Sequence, residues 1–244
     1  MNKSVHKALQ ILELFTEETR ELSLNDISKR LNMPKPTAYR LVTTLETRDY
    51  LMKIREGQDS SYRLGLKLLE LGQLVSNQLE IREHALPIMQ ELVKNINEAV
   101  HLVVIRQNEA VYIEKVDSTR TIRLYTRVGK RSPLHIGSGP KLLLAFLAKD
   151  KQKGILEELD EETKRRLQLE LKRILKQGYA FSEGEQDANT IGISYPIFNY
   201  KNQVIASLTV SGLSSYFTDD NLQKIKRETK LAAYDISKKM GYLG

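Results

Sequence analysis

A short stretch between residues 35 and 44 carries side chains that suit contact with a nucleic acid. Its basic, hydroxyl and aromatic residues fall on one side of a predicted helix and are Lys35, Thr37, Tyr39, Arg40, Thr43 and Thr44. Arginine can bond a guanine edge twice, threonine can contact thymine or phosphate, and lysine neutralises phosphate. No acidic residue occurs between Asp26 and Glu46. This pattern predicts a surface that reads DNA.

The residues before this stretch predict the first half of a helix-turn-helix. Ser23 is a good N-cap, and Asp26 places a carboxylate in the first turn, as a capping box requires. Pro34 ends this first helix because the residue before a proline avoids the helical region. Pro36 is tolerated in the first turn of the second helix. The alternative is a helical hairpin used only for packing or for contact with a protein.

A wing and an opening helix complete a predicted winged helix-turn-helix over residues 1–64. Two short strands, Tyr50–Arg55 and Ser61–Leu64, surround a polar loop, and Arg63 is predicted to contact DNA. Lys53 and Arg55 are also expected near the DNA backbone. An amphipathic helix over residues 3–15 is expected to pack on this domain through apolar residues at helical spacing. These are Val5, Leu9, Ile11, Leu12 and Phe15.

Charge and composition bound the function classes. Residues 1–78 hold 12 Lys and Arg against 10 Asp and Glu, so +5 of the net charge of +7 lies in residues 79–244. The acid-free stretch is therefore a better guide to DNA binding than the total charge. There is no cysteine, and the longest apolar runs are too short to span a bilayer. The N-terminus lacks the pattern of a signal peptide, so we expect a cytoplasmic protein without a membrane partner.

The segment over residues 65–78 predicts a linker helix with more apolar surface than a small winged domain can cover. Its leucines include Leu66, Leu69, Leu71 and Leu74. Pairing with a second subunit and docking on its own chain are both open, although DNA-binding dimers favour pairing.

Residues 79–244 predict an α+β domain in which helices pack on a mixed or antiparallel sheet. Strands are expected at Ala99–Arg106, Ala110–Val116, Thr121–Val128, Ile191–Phe198 and Gln203–Gly212. Helices are expected at Gly139–Leu147, Lys149–Leu159, Glu161–Gln177 and Asp219–Met240, the last with Thr218 as its N-cap.

Three pieces of this domain indicate a ligand pocket. Gly137-Ser138-Gly139 precedes a helix, whose free N–H groups can receive an anion, although a glycine turn used only for packing is equally compatible. A polar loop that includes Ser182 and Glu183 leads into a strand. Ser207, Thr209 and Ser211 alternate along one strand face, where small hydroxyls suit a pocket wall.

Other chemistry is not supported by the sequence. The histidines, His6, His84, His101 and His135, have no metal-ligand spacing and are interpreted as packing or solvent residues. No nucleophile-base pair, P-loop or nucleophile elbow is present, so neither an enzyme nor a cofactor is expected. Two alternatives to a ligand-controlled regulator stay open: an enzyme that uses the pocket, and an architectural DNA-binding protein without a ligand.

The ordered motifs of the chain resemble the IclR family of bacterial transcription regulators along nearly its whole length. The matching blocks are KALQILELF, LSLNDISKRLNMPKPTAYRLVTTLETRDYL, YRLGLKLLELG, PLHIGSGPKLLLAFL, GYAFSEGE, ISYPIF and SLTVSG. One departure lies after Gly139, where this chain has Pro140 and GSGGK is the more usual pattern.

The resemblance implies a homodimer or tetramer on a palindromic operator, and a GAF-like α/β effector-binding domain over residues 79–244. It further implies a repressor of a catabolic operon that a small organic acid controls. By this resemblance the effector contacts Leu124, Gly137, Ser138, Gly139, Ser182, Glu183, Thr190, Gly192, Thr209 and Ser211. The acid's carboxylate is expected at the helix N-terminus near Ser138 and Gly139.

Overall fold

The computed structural model describes residues 2–16, 18–54, 60–77, 80–121 and 126–244. The chain divides between residues 78 and 79 into two compact units, which are described separately. Arg55 and Leu124 lie outside the described residues. Within the described ranges, no helix is both long and apolar enough to cross a bilayer.

The N-terminal unit combines four helices with a small antiparallel sheet. The helices are α1 (Lys3–Glu13), α2 (Leu24–Arg30), α3 (Lys35–Thr47) and α4 (Lys67–Asn77). The strands are β1 (Leu22–Ser23), β2 (Leu51–Lys53) and β3 (Ser61–Leu64), in the order β1-β3-β2. The predicted helix-turn-helix and the two predicted wing strands are confirmed, and β1 is an addition that pairs with β3.

Local hydrogen bonds explain where α2 begins. The Ser23 hydroxyl accepts from the Asp26 N–H at 3.1 Å, and the Asp26 carboxylate accepts from the Ser23 N–H at 3.2 Å. These bonds hold the pKa of Asp26 below its ordinary value. The predicted capping box is therefore confirmed, and it stabilises the start of α2 by about 1 kcal/mol.

The α1 helix packs on the unit with only part of its apolar surface. Ile11 is fully buried against the core of α2 and α3. Val5 and Leu9 are 55% and 52% exposed, so the prediction that they pack on the helix-turn-helix was wrong. Their side of α1 faces away from the single small core, which one helix face is enough to cover.

The leucines around α4 are uncovered. Leu66, Leu69 and Leu74 are 73%, 69% and 58% exposed. This exposure goes against the alternative in which the linker helix docks on its own chain.

The C-terminal unit is built on a six-stranded sheet in the order β6-β5-β4-β9-β8-β7. Its helices are α5 (Glu80–Ile96), α6 (Ser138–Phe146), α7 (Lys149–Glu157), α8 (Glu161–Gln177) and α9 (Asp219–Lys239). Its strands are β4 (Ala99–Arg106), β5 (Glu109–Val116), β6 (Arg131–Pro133), β7 (Ala180–Glu183), β8 (Thr190–Phe198) and β9 (Val204–Leu213). All neighbouring strands are antiparallel, which decides between the two predicted sheet types.

Two features of this unit differ from the sequence prediction. The predicted strand Thr121–Val128 includes residues 122–125, which lie outside the described residues, and its described remainder is not strand. A turn at Gly129, with φ of +88°, instead leads into β6. Glu183, predicted in a loop, ends edge strand β7, because Ala180–Glu183 pairs with β8.

The two faces of the sheet pack against different helices. On one face, Leu208 and Val210 of β9 join a core with α5 and α9. On the other face, Val103 and Tyr112 join a core with α6 and α8. Since side chains alternate along a strand, the hydroxyl residues of β9 lie on the α6 face.

Candidate functional site

The predicted DNA-reading residues lie on the outer side of α3. Ala38, Val42 and Leu45 face the core, which turns the polar side of the helix outward. The exposed members of the predicted set are Lys35, Tyr39, Arg40 and Thr44, while Thr37 and Thr43 are half-buried. One amphipathic helix therefore presents all six of these residues away from its buried face.

A cleft beside α3 brings two further cations to this surface. Lys3 and Lys7 of α1 line it together with Thr37, Arg40 and Thr44, around a volume of about 430 Å³. The sequence prediction did not include either lysine. Their helical spacing of four residues was a usable signal, because it places both on one side of α1.

Arg63, the predicted wing contact, forms an ion pair. Its Nη2 lies 3.0 Å from Glu21 Oε2, and the Ser61 hydroxyl donates to the same carboxylate. The Arg63 side chain is 52% exposed, so the guanidinium is still accessible.

A cavity at the start of α6 gathers most of the predicted effector residues. Eight of them line it: Gly137, Ser138, Gly139, Ser182, Thr190, Gly192, Thr209 and Ser211. Glu183 does not line it, because alternation along β7 directs its side chain to the opposite face from Ser182. Leu124 is outside the described residues. The cavity volume is about 30 Å³, room for about two water molecules.

Two glycines let α6 approach the sheet closely. A Cβ at Gly139 would lie 2.6 Å from Thr209 Oγ1, and a Cβ at Gly192 would lie 2.6 Å from Ser138 Oγ. Any larger residue would push α6 away from β8 and β9. Packing therefore requires these glycines, whatever the cavity binds.

A chain of buried hydroxyls joins α6 to the sheet. Ser194 Oγ donates to Ser138 Oγ at 2.8 Å and lies 2.8 Å from Thr209 Oγ1. Ser207 donates to the Gly139 carbonyl at 3.4 Å. The sequence prediction missed Ser194, which strand register places opposite Thr209.

The N–H groups at the start of α6 are largely occupied by the protein itself. Gly137 N–H donates to Glu185 Oε2 at 2.8 Å, and Ser138 N–H donates to Ser182 Oγ at 3.0 Å. Pro140 has no N–H. Among the described residues, the Gly139 N–H finds no acceptor. The expected anion position near Ser138 and Gly139 is thus reduced to one backbone donor.

A buried lysine fixes the loop that covers the cavity. Lys141 is 1% exposed, and its ammonium contacts the carboxylates of Glu170 and Glu185. Since Glu185 also accepts from Gly137, Lys141 ties the loop after β7 to the start of α6. The sequence prediction did not single out this lysine.

His101 forms part of the cavity wall and is neutral. Burial, followed by the charge of Lys115, lowers its pKa to about 3. Its Nε2 lies 2.9 Å from Ser211 Oγ, while Nδ1 has no hydrogen-bond partner among the described residues. The sequence interpretation of His101 as a packing or solvent residue missed this wall position, since only strand pairing brings it beside Thr209.

The other wall residues come from β5 and the loop after β7. Gln186 Nε2 lies 2.9 Å from the Tyr112 hydroxyl, and burial raises the pKa of Tyr112. The charged residue of the wall is Asp187. Within the described ranges, no group of three or more histidine or carboxylate side chains could hold a metal ion.

Comparison with known proteins identifies the family. Residues 4–54 match the model of the IclR helix-turn-helix domain, and residues 73–238 match that of the bacterial transcriptional regulator IclR C-terminal domain. The chain belongs to the IclR family.

Similar proteins span the whole chain. The chain is 36% identical to the HTH-type transcriptional regulator KipR of Bacillus subtilis, covering 99% of this chain and 98% of KipR. It is 34% identical to KdgR of Escherichia coli, covering 98% and 93%. The crystal structure of Thermotoga maritima IclR superposes with a TM-score of 0.79 at 28% identity, covering 99% and 100%.

Membership in the IclR family establishes what kind of protein this is. It is a DNA-binding transcriptional regulator and not an enzyme. The helix-turn-helix model ends at residue 54, so α3 lies wholly within it. The cavity lies wholly within the IclR C-terminal match.

Proposed function

We propose that this regulator represses a catabolic operon and that a small organic acid in the α6 cavity releases it from DNA. In this proposal residues 1–64 read the operator, residues 65–78 link and pair the subunits, and residues 79–244 bind the effector. The single observation that carries the proposal is the α6 cavity, which brings residues from four segments of the C-terminal unit around one polar space.

The wall chemistry suits an acid that also carries a hydroxyl. The Gly139 N–H and the hydroxyls of Thr209 and Ser211 can donate to a carboxylate. Asp187 can accept from an effector hydroxyl, and His101 Nδ1 offers a further neutral partner. A fold neighbour of this chain, an IclR homologue from Microbacterium hydrocarbonoxydans, is described in complex with 4-hydroxybenzoate, which has both groups. A hydroxy acid is therefore our favoured effector class.

The small cavity volume supports coupling between effector and shape. An acid larger than two water molecules has to displace the loop that Glu185 holds against Gly137 and Lys141. Such an effector binds the displaced arrangement better than the closed one, which is the differential affinity that shifts a two-state equilibrium.

The N-terminal unit supports pairing of two subunits. The exposed residues Val5 and Leu9 of α1 and Leu69 and Leu74 of α4 leave apolar surface uncovered. Burial of such surface favours association by about 25 cal/mol per Å². A dimer would present two copies of α3 to the two halves of a palindrome, and a tetramer would pair two dimers.

The test measures operator and effector binding on the same protein. An operator is selected from random duplexes, and acetate, pyruvate, gluconate and 4-hydroxybenzoate are screened by thermal shift and by release of labelled operator. Thr209→Val should weaken effector response at least tenfold and leave operator affinity unchanged, because it removes a hydroxyl from the cavity alone.

Arg40→Ala is the reciprocal variant and should weaken operator selection while leaving the effector's thermal shift unchanged. Equal loss of both activities in both variants would contradict separate sites. A flat thermal-shift response across a wide panel of acids would instead favour a DNA-binding protein without an effector.

A further inference from the structure

The outer face of α8 carries an unusual concentration of positive charge. Five exposed cations follow one side of the helix: Arg165, Arg166, Lys172, Arg173 and Lys176. We call this set the α8 basic stripe. With 3.6 residues per turn, positions 165, 172 and 176 align along the helix, and positions 166 and 173 flank them. The stripe is about 16 Å long at 1.5 Å per residue.

The charges of the α8 basic stripe are not neutralised by neighbouring side chains. Among the described residues, none of the five cations forms an ion pair. Glu161 pairs with Lys164 at 3.2 Å, and Glu170 is held by buried Lys141. Glu183 lines the same surface groove as Arg166 and Arg173 without bonding either. The stripe therefore keeps its charge available for an anionic partner.

The distribution of charge over the chain favours DNA as that partner. Residues 1–78 contribute only +2 to the net charge, although non-specific DNA affinity depends on neutralising phosphates. The other +5 lies in residues 79–244. DNA is already bound by this regulator, and a duplex carries one negative charge per about 1.7 Å. A regular row of five cations complements such a polymer.

We propose that the α8 basic stripe binds DNA phosphates and supplies much of the protein's sequence-independent affinity. This goes beyond the proposed function, in which only residues 1–64 contact DNA. Phosphate binding by the stripe carries no base recognition, because its residues meet only the backbone. Leu169, which is 64% exposed within the stripe, makes an acidic protein segment the competing partner.

The test measures how salt weakens binding of the full-length protein to a long duplex without operator sequence. Each phosphate contact contributes about −0.9 to the slope of log K against log[salt]. A stripe variant with glutamine at all five positions should lower the magnitude of this slope by about 3 to 4. Its affinity at about 50 mM NaCl should fall more than tenfold.

A charge-matched control separates contact from overall charge. Glutamine at Lys149, Lys151, Lys201, Lys230 and Lys239, all exposed, removes the same five charges from elsewhere in residues 79–244. This control should change the slope by less than about 1. Lysine at Arg165, Arg166 and Arg173 keeps the charge of the stripe and should preserve the wild-type slope.

Equal slopes for the stripe variant and the matched control would overturn the proposal, as would a charge-preserving variant that behaves like the glutamine variant. An unchanged slope in the stripe variant would leave an acidic protein as the better partner. Failure of the proposed operator function would show differently, as an Arg40→Ala variant with unaltered operator preference.

Discussion

On α3 the side chains that face DNA project into solvent, whereas at the start of α6 the hydroxyls are buried and bonded to one another. Tyr39 is 56% exposed, while Ser194 and Ser207 have no exposed surface. On α3 a ligand meets free side chains. In the α6 cavity a ligand has to replace existing bonds, such as the one between Ser138 N–H and Ser182.

The difference concerns what each region can do when its partner is absent. An exposed helix face is complete before DNA arrives and needs little rearrangement. A buried polar network is already satisfied, so a ligand that breaks it must change the surrounding structure. The second arrangement is suited to a switch, and the first to a reader.

The comparison is tested most strongly at Lys141. Lys141→Ala should destabilise the C-terminal unit by about 3 kcal/mol, because it leaves the carboxylates of Glu170 and Glu185 without their cation. Urea unfolding followed by a probe in the C-terminal unit measures the change. Lys164→Ala, which removes an exposed lysine from α8, should cost less than about 0.5 kcal/mol. Similar losses in the two variants would show that burial of Lys141 is unimportant.

Acid should also destabilise the C-terminal unit through His101. The folded protein holds the pKa of His101 at about 3, below its ordinary value of 6.5, so the unfolded chain binds a proton first as pH falls. Stability should therefore fall from pH 6.5 towards pH 3, by about 2 kcal/mol between pH 7 and pH 5. Unfolding of wild type and His101→Gln at several pH values measures this contribution. His84→Gln, at an exposed position on α5, is the control and should keep the wild-type dependence.

On the reader side, Arg40→Ala should reduce discrimination between operator and mismatched duplexes by about 1 to 2 kcal/mol, since a bidentate contact to guanine is lost. Selection from random duplexes measures the altered preference. Arg48→Ala, at the exposed end of α3, provides a matched control. An unchanged preference in Arg40→Ala would mean that Arg40 does not read bases.

The smallest effect is expected at Arg63. Its exposed pair with Glu21 is worth less than about 1 kcal/mol, so a phosphate can replace the carboxylate. Arg63→Gln should therefore reduce the salt slope of operator binding by about 0.9, with little change in sequence preference. If the slope stays the same, Glu21 keeps Arg63 from the DNA and the wing contact must come from elsewhere.

How far sequence reasoning reached differs between the two regions. For the reader it predicted the capping box at Ser23, the start of α3 and the outward face of α3. It did not predict which way Val5 and Leu9 face, because α1 has two apolar sides and periodicity does not choose between them. For the cavity it predicted Gly137, Thr209 and Ser211 as neighbours through the family resemblance.

The residues that sequence reasoning missed in the cavity have a common feature. His101, Tyr112 and Gln186 come from strands and a loop far apart in the chain, and none belongs to a local motif. Glu183 was expected beside Ser182 because the two are adjacent, yet strand alternation separates them. Pairing between distant strands decides such positions.

By itself the sequence determined the features that depend on neighbours three or four residues apart. These are the capped start of α2, the polar face of α3 and the cations of α8, because helical geometry converts spacing directly into position. Tertiary structure alone decided which donors at the start of α6 are left for a ligand. Glu185 and Ser182 lie more than 40 residues beyond Gly137 and Ser138, and only the packing of β7 and its loop against α6 brings them within hydrogen-bonding distance.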